Sequence, residues 1–125
     1  MGHRLAAVLT AGFVAVAVQA FAHHGAANYD TSKSVTIKGT VTEFVFTNPH
    51  TLVYLDVKDE SGEIRKWQGE LTSPNRLARA GWTKSTLKVG DQITIIGSPS
   101  KSGAPVMAIQ RVLSSNGQEI KQSED

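Results

Sequence analysis

The chain has 125 residues, enough for one domain, with 13 basic and 11 acidic side chains and no cysteine. Without thiols there are no disulfides, no thiolate metal sites and no cysteine nucleophile. Near-balanced charge also lacks the basic footprint of a nucleic-acid binder.

Arg4 precedes LAAVLTAGFVAVAV, a 14-residue uncharged run from Leu5 to Val18. A membrane span needs roughly 20 residues, so the run predicts a signal-peptide core, with a retained anchor helix as the alternative. Two small-x-small cleavage sites follow, Val18-Gln19-Ala20 and Ala20-Phe21-Ala22, the second closer to A-x-A. Cleavage after Ala22 leaves 125 − 22 = 103 residues, and loss of Arg4 leaves a formal charge of 12 − 11 = +1. The expected organisation is a signal peptide over 1–22, an N-terminal arm over 23–33 and a folded domain over 34–121. The expected location is periplasmic or secreted, with no membrane span after cleavage.

Beyond the arm the pattern is mostly β. SVTIKGTVTEFVF (Ser34 to Phe46) alternates with Val35, Ile37, Gly39 and Val41 on one face. After Glu43 the phase slips, and a glycine within a strand ahead of a slip predicts a bend or bulge. Thr47-Asn48-Pro49-His50 reads as a turn. TLVYLDVKD and IRKWQGEL read as strands joined by a hairpin at Glu60-Ser61-Gly62. SPNRLARAG predicts one short helix, with Ser73 as N-cap, Pro74 in the first turn and Gly81 as a left-handed C-terminal cap. Trp82 is expected to pack beneath it. LKVGDQITIIG and VMAIQRVL are further strands, separated by the Ser98 to Pro105 loop, and Asn116-Gly117 opens a last short hairpin. The terminal KQSED is expected to fray. Three strands, a helix and two strands is the order of an OB-like, five- to six-stranded Greek-key barrel, an all-β fold with one short helix. A six-stranded open sandwich is the alternative.

HHGAANYD, GTVTEFVFTNPHTLVYLDV, WQGELTSPNRLARAGW and LKVGDQITIIG together resemble the exported bacterial proteins of domain-of-unknown-function family 6152. The likeness covers most of the mature chain. Its specific pieces are the His-His start, the TNPH turn and the SPN-x-L-x-R-x-GW block. Family members often carry Ser after the His pair, where this chain has Gly25. The resemblance implies export and a compact β fold and carries no activity, so sites must be read from the residues.

Imidazole is the commonest protein metal ligand. After cleavage at Ala22, His23 carries a free amine beside its own imidazole. That pair can chelate copper, with His24 or His50 as a further nitrogen, and resembles a histidine brace. After cleavage at Ala20, His23 is third in the chain and resembles an amino-terminal Cu(II)/Ni(II) motif of square-planar nitrogens. The competing reading of the pair is a solvated, tolerant terminus. His50 by itself is expected to serve its turn, unless the arm folds back beside it. Met107 could ligate Cu(I) but reads better as core filling. Trp67 beside a copper site would resemble small periplasmic β-barrel copper carriers, but those use paired methionines, and both Trp67 and Trp82 read as core.

Phe44, Phe46, Leu52 and Tyr54 form an outward-parity apolar stripe that needs a cover. Its cover is either the chain's own helix or arm, or a partner, an envelope protein or a saccharide. No Ser-His-Asp spacing supports an enzyme. Glu70 is accounted for by the nearby helix start, and Arg76 and Arg79 by solvation. The expected function is a non-enzymatic exported binding module, holding copper through His23, His24 and His50. The metal-free alternative is a module for an envelope protein or saccharide.

Overall fold

A strand is buried on one face when its partners share that face, so the register of the strands decides where this chain keeps its core. The structure is a computed structural model and describes residues 26–124. The expected signal peptide, its cleavage sites and the pair His23–His24 lie outside the described residues. A 3-10 turn, Ala26–Asn28, leads into β1 (Val35–Val45), β2 (Leu52–Lys58) and β3 (Ile64–Glu70). The helix α1 (Pro74–Arg79), then β4 (Gln92–Pro99) and β5 (Val106–Leu113), complete the order. The strands close into a barrel in the order β1-β2-β3-β5-β4. Closure rests on the one parallel contact, three residue pairs joining Gln68–Glu70 of β3 to Val106–Ala108 of β5. The OB-like reading holds, and the open-sandwich alternative is replaced by a closed five-stranded barrel.

β1 serves two neighbours. Its first half pairs with β4 and its second half with β2. Gly39 sits in the crowded middle, where an added Cβ would lie 2.7 Å from the Asp56 carbonyl oxygen. The phase slip is a bulge, placed where the register shifts between Val41 and Glu43. Its effect reverses the expected parity of the phenylalanines. Phe44 lies opposite the buried Val53, so it points into the barrel, while Glu43 opposite Tyr54 and Val45 opposite Leu52 point outward. Phe44 stacks at 5.8 Å from Phe46 and 6.1 Å from Trp82. The predicted four-residue stripe is thus split. Phe44 and Phe46 pack against the core, and only Leu52 and Tyr54 remain on the outer face, half-buried.

α1 follows β3 and caps one end of the barrel. Ser73 accepts a bond from the Arg76 amide, Pro74 takes the first turn, and Leu77 is buried. Gly81 at φ 93 ends it, with Gly81 N–H donating to Ala78 and Trp82 N–H to Leu77. This is the paired-bond glycine cap, and it throws Trp82 back into the core. The indole Nε1 donates to the Lys121 carbonyl at 2.7 Å, and the Ile120 amide bonds Val112 at 2.8 Å. The tail expected to fray is therefore fastened as far as Gln122, whose side-chain amide bonds the Gln110 carbonyl.

Candidate functional site: a shielded carboxylate joins the N-terminal arm to the β1–β2 turn

On β3, Trp67, Gly69 and Leu71 follow the inward parity, so Glu70 faces outward. Its cross-strand neighbours are Leu52 on β2 and Ala108 on β5. Despite facing outward, the Glu70 side chain is only 13% exposed, because two groups from distant parts of the chain close over it. Tyr29 Oη donates to Glu70 Oε2 at 2.5 Å. His50 Nδ1 contacts Glu70 Oε1.

Each partner is held by its own segment. His50 follows the cis Asn48–Pro49 peptide in the β1–β2 turn. The next residue, Thr51, is buried and exchanges backbone bonds with Leu71 and Thr72 beside Glu70. Tyr29 is in the arm. The arm runs antiparallel to the end of β4 through a Tyr29–Ser100 bridge, with Asp30 N–H donating to Pro99 and Lys101 N–H to Asn28. From there the phenol reaches across β5 to β3. The β5 residue paired with both Glu70 and Ser98 is Ala108, whose small side chain suits that crossing.

Donor and acceptor chemistry orders the cluster. Burial first, then the hydrogen bond and the charge of Glu70, push the Tyr29 phenol well above its ordinary value, so it stays a donor. A carboxylate only accepts, so His50 must carry its proton on Nδ1. In the neutral imidazole the lone pair then lies on Nε2, on a side chain 47% exposed. An imidazole whose Nδ1–H is held by a carboxylate is the usual outer-shell arrangement of a metal-binding histidine.

Of the predicted ligands, His50 is placed at this cluster, and His23 and His24 lie outside the described residues. Among the described residues no group of three or more His, Asp or Glu is assembled to hold a metal. Met107 is fully buried within the barrel, as core filling. Glu70, read from the sequence as serving the helix start, is bonded instead to Tyr29 and His50. Tyr29 and Glu70 are the residues that sequence reasoning passed over. The available signals were a tyrosine inside the HHGAANYD block and an outward carboxylate beside an inward glycine.

The chain matches the family of unknown function DUF6152 over residues 11–108. It belongs to that family. No relative matches among curated proteins. Among solved structures, a chain of the crystal structure of a complex of TiaS with an isoleucine tRNA and ATP is similar, with 17% identity and a TM-score of 0.49. The match covers 69% of this chain and 19% of that one. Among the described residues no helix is long and apolar enough to cross a membrane.

Proposed function

We propose that this family member is an exported, non-enzymatic binding module, periplasmic or secreted, that holds copper at its processed N-terminus. His23 supplies amine and imidazole, and His24 and His50 supply further nitrogens. What supports the reading is the Tyr29–Glu70–His50 cluster. It fastens the histidine-bearing arm to the barrel and leaves His50 Nε2 as an accessible lone pair. Tyr29 follows His24 by five residues, a reach of at most about 18 Å of extended chain. Nitrogen ligands without thiolates favour Cu(II).

The test is a Cu(II) titration of the processed protein with its native terminus, followed by d–d absorption and electron spin resonance. Binding should be lost in a His23→Ala, His24→Ala double variant. Glu70→Gln should weaken it by about 10- to 100-fold, the usual cost of losing an outer-shell partner. Equal affinity in the double variant would sink the proposal. A metal-free reading, an interaction face for an envelope protein or saccharide, draws on Leu52 and Tyr54. They remain half-buried on the β2–β3 face that OB-folds use for ligands. Tyr54→Lys should then abolish capture and leave the fold intact.

A further inference from the structure

The inward face of the barrel is not closed equally at both ends. Along β2 the inward residues Val53 and Leu55 are fully buried, but Val57 is only half-buried. Along β3 the buried Leu71 and Gly69 give way to a half-buried Trp67 and an exposed Arg65. β1 repeats the gradient, from buried Val41 back to half-buried Ile37. The covered end is the one beneath α1. The open end lies at the β2–β3 hairpin, where Ile37, Val57, Trp67 and Arg65 line a groove of about 450 Å3. That volume falls within the range of small-molecule sites.

The rim of this groove carries both signs of charge with a cationic excess of one. Lys38, Lys58 and Arg65 line it against Asp59 and Glu60. Asp59 Oδ1 accepts from Ser61 N–H, Ser61 Oγ and Glu63 N–H to close the hairpin, which orients the carboxylate and favours its charged form. Asp56, in the adjoining groove shared by both lysines, is bonded to Lys66. Lys38 and Lys58 have no ion pair among the described residues. Three cations thus face two carboxylates, a net charge of 3 − 2 = +1, around an apolar mouth that contains an indole.

We propose that this mouth is a second binding site, separate from the His50 cluster, for a carboxylate carried on a ring with an apolar face. The ring packs against the inward Trp67, Ile37 and Val57, and the carboxylate meets Lys38 and Lys58, which hold outward positions on β1 and β2 and reach the groove from its outer rim. Two sources carry this chemistry, a uronic-acid sugar and an aromatic carboxylic acid.

The processed protein is titrated by calorimetry and tryptophan fluorescence with galacturonate, benzoate, acetate and the neutral methyl galactoside. Trp82 is buried and bonded to Lys121, so an emission change reports Trp67. At least one ring carboxylate should bind and shift the emission, and the one that binds identifies the source. Acetate, lacking the ring, and methyl galactoside, lacking the charge, should bind about tenfold more weakly or not at all. A Lys38→Glu, Lys58→Glu variant, altered at two exposed positions, should lose about tenfold in affinity. Its unfolding midpoint should be unchanged. The proposal fails if neither ring carboxylate binds, if acetate or the neutral sugar binds equally well, or if the lysine variant keeps full affinity. Copper plays no part in this titration, so its outcome is independent of the N-terminal site.

Discussion

Glu70 shows how one side chain can tie three segments together. It accepts from a phenol 41 residues before it and an imidazole 20 residues before it. A hydrogen bond to a charged, poorly exposed acceptor is worth about 1.5–3 kcal/mol. Tyr29→Phe should therefore lower the unfolding free energy by about 2 kcal/mol in urea titrations near pH 7. The pH dependence has a definite sign. The phenol has a raised pKa when folded, so its contribution is complete below the ordinary tyrosine value of about 10. It is lost as pH rises from there toward the folded value. The gap in stability between wild type and Tyr29→Phe should consequently shrink above pH 10. A constant gap from pH 8 to 11 would show that the phenol pKa is not raised by folding.

The strands and helix obey local rules, with one consequential exception. α1 has its serine cap, its early proline and its glycine stop, and each lies where backbone chemistry places it. β1 departs from simple alternation because one bulged residue returns Phe44 to the inner face. Two glycines separate crowding from backbone strain. A side chain at Gly39 would strike the β2 backbone, whereas at Gly81 it would meet open space but at positive φ. Gly81→Ala should cost about 1 kcal/mol. Gly39→Val should cost about 3 kcal/mol or more, because neither backbone can yield without breaking the ladder. Thermal unfolding of the two variants should rank them in that order.

At the scale of the whole molecule, closure depends on short contacts at the seams. β3 meets β5 over three pairs, and the C-terminal segment covers Trp82 rather than trailing into solvent. Removing Glu119 to Asp125 would strand a buried indole N–H and uncover the core beside Ile120. That truncation should lower stability by about 2 kcal/mol or more, while removal of Ser123 to Asp125 should leave the urea midpoint unchanged. The same global arrangement separates two surfaces. The His50 cluster lies at the β1–β2 turn and the groove at the β2–β3 hairpin, at opposite ends of β2.

The fold was legible in the sequence because its signals are local. Alternation marks strands, Ser73, Pro74 and Gly81 bracket the helix, and the helix position after the third strand specifies the barrel order. The inward parity of Trp67 and Leu71 and the outward parity of Glu70 could be read directly from period two. The site was only partly legible. His50 could be singled out by residue type, but its partner could not, since Glu70 reaches Tyr29 only after β5 closes against β3 and the arm crosses it. The phenylalanines were misplaced for a related reason: a bulge costs one residue of register, and which residue is unpaired is decided by the partner strand. Sequence alone determined the order of the elements along the chain, the helix caps and the supply of histidines. Tertiary structure alone decided which outward carboxylate is shielded, which nitrogen of His50 faces it and which end of the barrel stays open. Those three properties depend on contacts between residues distant in the chain.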